Sequence, residues 1–151
     1  MKPTILLSFL LLFGLTACKK DNSDPDVDPR QQYLGTFAIN YSSTTTVGGQ
    51  PNGSDSGQGS ITFSPGSATD ELQMVINFPN YADSVVAKIN DSQFTLERTR
   101  NKVQYLGQTY DGEYIGTGSI SGQTLMVNAT TRANANGSDI IWTQLYKGTK
   151  Q

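Results

Sequence analysis

The chain contains no histidine, and that absence removes more chemistry than any residue it holds. Without imidazole there is no general base of the Ser-His-Asp kind and no nitrogen-ligated metal centre. Cysteine is almost as scarce. Cys18 stands alone, so neither an internal disulfide nor a thiolate cluster can form. Positive charge is not in excess either: eleven Lys and Arg face 13 Asp and Glu, a formal net charge of -2. Gripping nucleic acid takes clustered positive charge that displaces counterions, so no nucleic-acid partner is expected. Apolar residues make up only 36% of the 151-residue chain, and many of them sit at its very start. What remains can fill a thin core, as in a barrel or a sandwich, and not that of a thick α/β enzyme. With nearly every usual catalytic group missing, the chain is not expected to be an enzyme, and it calls for no metal or other cofactor.

One long hydrophobic run is present, residues 5–15 (ILLSFLLLFGL), behind a short start that carries Lys2. It is too short to cross a bilayer comfortably as a helix, but it fits the apolar core of a cleavable export signal. Leu15-Thr16-Ala17-Cys18 follows directly. This tetrapeptide resembles the lipobox of bacterial lipoproteins, where an aliphatic side chain stands three before the cysteine and a small one just before it. The resemblance implies cleavage between Ala17 and Cys18, a diacylglycerol on the Cys18 thiol and an acyl chain on the freed amine. Two or three chains make a stable anchor at about 0.8 kcal/mol per buried CH₂, where one is marginal. In Gram-negative sorting, Asp directly after the cysteine favours the inner membrane. Here that position is Lys19, and the charged run 19–24 is similar to the export tags of some surface lipoproteins. The outer membrane is therefore the expected location. Residues 1–17 read as the signal peptide, 18–30 as the lipidated cysteine with a flexible acidic tether, and 31–151 as the folded domain. Asp24, Asp26 and Asp28 alternate in the tether, but the glycine turn and late Glu of a calcium loop are missing, so a solvated linker is the better reading.

From Tyr33 onward the pattern is β. Leu72, Met74, Ile76 and Phe78 alternate with Gln73, Val75 and Asn77, which places four apolar side chains on one face of a strand. Similar runs lie at 33–41, 59–63, 84–89, 93–98, 113–120, 124–131 and 139–147. Between them come turn clusters rich in Pro, Gly, Asn, Asp and Ser, some so short that adjacent strands must pair as antiparallel hairpins. No stretch has a helical period with a cap. About eight strands in meander order predict an all-β fold, an antiparallel up-and-down β-barrel with a β-sandwich as the alternative. Residues 44–59 (TTTVGGQPNGSDSGQG) offer almost nothing to bury and read as a long mobile loop, either decoration or a lid.

Tyr33-Leu34-Gly35-Thr36-Phe37 opens the domain. It is similar to the Gly-x-Trp signature on the first strand of lipocalins, with Phe37 in place of the Trp. The likeness extends coarsely along the chain, through G-x-G-x-I-x-G-x-x-L to a closing strand with Trp142. It implies a barrel whose aromatic ring plugs the closed end, with Arg132 as the candidate cation above that ring. The glycines at 116, 118 and 122 could pass for a nucleotide fingerprint, but they lie between two strands with no helix to receive a phosphate. They read as residues that let a strand coil. Asp111 and Glu113 are two apart, as hydrolase carboxylates can be, yet sit among polar turn residues and read as solvent-facing. Asp83-Ser84-Val85 matches an O-glycosylation motif of some Gram-negative periplasmic proteins, and equally ordinary turn chemistry at a strand start. Trp142 and Tyr146 share a strand face with Ile140, suited to core packing or to stacking on a flat ligand or sugar.

Two functional expectations result. In the first, a membrane-anchored, lipocalin-like module binds a small apolar or amphipathic ligand, with Met74 and Met126 as adaptable lining. In the second, a filled barrel is an accessory subunit that displays loops to a protein or polysaccharide at the cell surface. Both place the membrane, through the lipid at Cys18, among its partners and expect a monomer. The sequence names no ligand-binding residue for either.

Overall fold

The computed structural model describes residues 28–151, with the backbone alone at Thr99 and Arg100. Residues 1–27, which include the expected signal peptide, Ala17, Cys18 and most of the expected tether, lie outside the described residues. Eight strands follow in order: β1 (Gly35–Val47), β2 (Gln50–Pro65), β3 (Glu71–Phe78), β4 (Tyr81–Asn90), β5 (Gln93–Tyr105), β6 (Gln108–Ser121), β7 (Thr124–Ala135) and β8 (Ser138–Lys150). Each pairs antiparallel with its chain neighbour, and β8 returns to β1 from Phe37↔Lys150 to Val47↔Ile140, so the barrel closes. Closure removes most of the sheet edge that a sandwich would leave. Side chains alternate across each strand. On β7, Leu125, Val127, Ala129, Thr131, Ala133 and Ala135 point inward and their neighbours outward. Leu72, Met74 and Ile76 are buried and Phe78 packs against them, as their alternation predicts.

The end at which the chain enters is closed by aromatic rings. Tyr33, Phe37, Phe63 and Phe94 are all buried, and the Tyr33–Phe94, Phe37–Phe63 and Phe63–Phe94 pairs meet edge to face at 6.1, 6.0 and 5.2 Å. Such pairs add roughly 0.5–1.5 kcal/mol each to their burial. Gly118 makes room for this plug, because a Cβ there would stand 2.1 Å from Phe94 Cζ. The glycine run is thus a packing device on β6. The Tyr33 hydroxyl donates to the Asp91 carbonyl in the β4–β5 turn (3.0 Å). Arg30 donates to the Gly66 and Ala68 carbonyls (3.3 and 3.1 Å) and to the Asp28 carboxylate, pinning the entering chain under the same end.

Three expectations need correction. Arg132 does not cover the Phe37 ring; it is exposed on the outer face of β7, and Lys150 Nζ takes the place, 5.9 Å from the ring centroid. Only the β1–β8 closure brings Lys150 beside Phe37. Met126 also points outward, 43% exposed, because the period of two puts it opposite Leu125 and Val127. Residues 44–59 are not a loop. They form the distal halves of β1 and β2 around Gly48 and Gly49, whose φ of 54° and 79° suit a two-residue hairpin turn. Residues 50–58 are exposed throughout, so no hydrophobic alternation marked them as a strand.

Candidate functional site

Two apolar clusters fill the barrel at different heights. The large one rises from the aromatic plug to Tyr41, Tyr114 and Tyr146. The small one, Val103, Ala133, Ala135 and Ile140, lies toward the far end with Val47, Tyr105 and Tyr110 against it. Between them, along the strands, sit the buried polar residues Ser43, Thr131 and Gln144. Asn101 Nδ2 donates to Thr131 Oγ1 at the same level (3.3 Å).

Unequal strand lengths open the wall at this belt. β3 and β4 turn back early at Pro79 and Asn80, while β2 and β5 continue. The β2–β3 ladder ends at Ser60↔Asn77, and the β4–β5 ladder holds only from Ala87↔Leu96 to Asn90↔Gln93. Above the β3–β4 turn there is a notch, and behind it a cavity of about 540 Å³. Its deep wall consists of Tyr41, Ile76, Tyr114, Gln144 and Tyr146, all buried. Phe78, Tyr81 and Trp142 stand at the entrance, and residues 55–58 of β2 form one lip. The Tyr41 ring packs 5.2 Å from both Tyr146 and Phe78.

Arg98 spans the parted β4–β5 seam. Nη1 and Nη2 donate to the two Asp83 carboxylate oxygens (3.0 and 2.9 Å), and Nη2 also donates to the Ser84 carbonyl (2.8 Å). The guanidinium carbon lies 5.6 Å from the Tyr114 ring centroid. A fork–fork pair of this kind fixes geometry as well as charge. It leaves Asp83 neutralised at the cavity edge.

The deep wall holds polar atoms without partners. Gln144 Nε2 donates to the Tyr146 hydroxyl (2.9 Å), but Gln144 Oε1 and the Tyr114 hydroxyl have no hydrogen-bond partner among the described residues. These residues are only 7% and 5% exposed. Burial pushes the Tyr114 and Tyr146 hydroxyls well above the usual phenol range; for Tyr114 the nearby Arg98 opposes the shift without cancelling it. Both therefore remain neutral donors. An orphaned buried polar atom costs roughly 1–3 kcal/mol, so a partner that restores its hydrogen bond regains it.

The residues singled out in the sequence distribute unevenly around this cavity. Trp142 and Tyr146 both line it, whereas Ile140, on the same strand face, belongs to the far cluster. Met74 is fully buried in the large cluster below, so the barrel is both filled and hollow, at different heights. Asp111 and Glu113 project from the outer wall, where Asp111 ion-pairs with Lys102. A second, open depression of about 440 Å³ runs past them and Arg132 on that outer face. Ser84 is exposed on the outer face of β4. Tyr41, Tyr114, Gln144 and the Arg98–Asp83 pair were missed. The available signal was Gln144, a polar residue on the inward face between Trp142 and Tyr146.

No protein-family model matches the chain, and no curated protein does. Several solved structures are similar to it, these two among them. One, from Bacteroides fragilis NCTC 9343 and described provisionally as an outer membrane protein, is 18% identical with a TM-score of 0.47, over 79% of this chain and 51% of its own. The other, from Nostoc punctiforme PCC 73102, is a protein of unknown function in the DUF3598 family. It is 10% identical with a TM-score of 0.43, over 80% of this chain and 48% of its own. The chain thus spans about half the length of each.

Proposed function

We propose that the chain is a lipoprotein held at the outer membrane through Cys18, and that its lipocalin-like barrel binds a small amphipathic molecule in the side-opening cavity. The observation that carries the binding reading is the cavity itself. At about 540 Å³ it falls within the range of ligand sites, and six aromatic residues surround a few buried polar groups. The lipocalin-like reading draws support from the buried Phe37 two residues after Gly35, with Lys150 over its ring. The anchor rests on Leu15-Thr16-Ala17-Cys18. A surface-partner reading keeps one specific support. Among the described residues, the distal half of β2 pairs with β1 on one edge and with no strand on the other. An extended segment of a partner could pair there.

Trp142 is the sole tryptophan and lines the cavity, so it reports occupancy directly. Titrating the full chain with prodan, a neutral naphthalene ketone dye, should give saturable one-site energy transfer from Trp142. Phe78→Ala, at the entrance, should weaken dye binding several-fold. Met74→Ala should leave it unchanged while costing about 2–5 kcal/mol of stability in denaturant unfolding. A folded chain that gives no saturable transfer would shift the assignment to the partner-strand reading.

A further inference from the structure

We infer that the cavity is built for an uncharged ligand whose polar end both accepts and donates a hydrogen bond, a hydroxyl or a carboxamide, and that it discriminates against the carboxylate of the same body. The inference rests on the ligand-binding reading above and refines it to a ligand class.

The deep wall presents two unmet needs of opposite kind. The Tyr114 hydroxyl is a donor without an acceptor, and Gln144 Oε1 is an acceptor without a donor. Both residues are buried and line the same cavity; the two atoms themselves lie just behind its surface, so a ligand meets them as the side chains rotate toward it. A hydroxyl or a carboxamide can meet both, because each carries an acceptor oxygen and an acidic hydrogen.

A carboxylate meets only one. It accepts from Tyr114 and offers nothing to Gln144 Oε1. Nor does Arg98 receive it, since that side chain does not line the cavity and its fork already holds Asp83 and the Ser84 carbonyl. An ammonium fails in the mirror sense, donating to Gln144 while leaving the Tyr114 hydroxyl without an acceptor. Tyr114 itself stays protonated, because burial holds its hydroxyl above the usual phenol range. The polar end is the part that enters first. The aromatic entrance of Phe78, Tyr81 and Trp142 then covers an apolar body.

The test uses four probes on one ring: cyclohexanecarboxamide, cyclohexylmethanol, cyclohexanecarboxylate and cyclohexylmethylammonium. Each is titrated at neutral pH into the full chain, with Trp142 emission and calorimetry as readouts. The carboxamide and the alcohol should bind about tenfold or more tightly than either ion, since each ion leaves one buried group unpaired. Gln144→Met should bring the carboxamide and carboxylate affinities together, whereas Tyr114→Phe should weaken both, each accepting from that hydroxyl. Tyr114→Phe removes an orphan and should fold at least as well as the parent.

A carboxylate that binds as tightly as the carboxamide overturns the inference, and means that the Gln144 amide is turned the other way, while ligand binding stands. A preference that survives Gln144→Met overturns the assignment to that residue. If prodan binds but none of the four probes does, the ligand class is wrong. If prodan fails as well, the binding reading falls with it.

Discussion

Gln144 is an expensive residue to keep inside a small barrel, since its carboxamide must be desolvated and only half of it finds a partner. The phenols around it carry a consequence for pH. An unfolded tyrosine titrates near pH 10, and burial raises Tyr114 and Tyr146 above that value in the folded chain. Above about pH 10 the unfolded chain therefore loses protons that the folded chain retains, which favours unfolding. Their contribution is fully present below that pH and declines as pH rises beyond it. Thermal melts should show the midpoint falling as pH passes 10, and Tyr114→Phe should make the fall shallower. A midpoint indifferent to alkali would contradict the burial of both hydroxyls. Single residues were legible in the sequence where period and chemistry agree, as at Leu72 and Trp142. They were illegible where a partner comes from the other end of the chain. Nothing near Phe37 announces Lys150, because only the β1–β8 register joins them.

Strand interiors follow the period-two pattern closely, but the distal halves do not. The β5–β6 hairpin turns at Leu106 and Gly107, with φ of 48° and 75°, and Leu106 is 83% exposed. A leucine in a left-handed turn carries no sequence signal, since Gly, Asn and Asp ordinarily hold that conformation. The distal half of β2 hides for a different reason: exposure on every residue leaves nothing to alternate. The β4–β5 seam is the least supported part of the wall, because beyond four ladder pairs it depends on Arg98. Arg98→Ala should cost about 1 kcal/mol, the upper range for a partly exposed ion pair, and no more. Its larger effect should be local, as faster amide hydrogen exchange over residues 82–86 of β4. Unchanged exchange there would show that the strand holds without the bridge.

Eight short runs, some joined by turns so short that adjacent strands must pair, were enough to read a meander barrel. The notch was not readable, because it depends on how far each strand runs past its neighbour, and strand ends carry the weakest signals. At this scale the anchor is the feature to test. Cys18→Ala should yield an unprocessed precursor that incorporates no labelled fatty acid, seen by mass and by metabolic labelling; normal lipidation would refute the anchor. The way Arg30 and Tyr33 fasten the entering chain then has a directional consequence. About ten residues separate Cys18 from Asp28, a reach of at most roughly 35 Å fully extended. They join the barrel under its aromatic plug and not at the notch. On the proposed anchoring at Cys18, the tether therefore attaches at the sealed base and not beside the opening, which leaves the opening free to exchange cargo with the surrounding fluid.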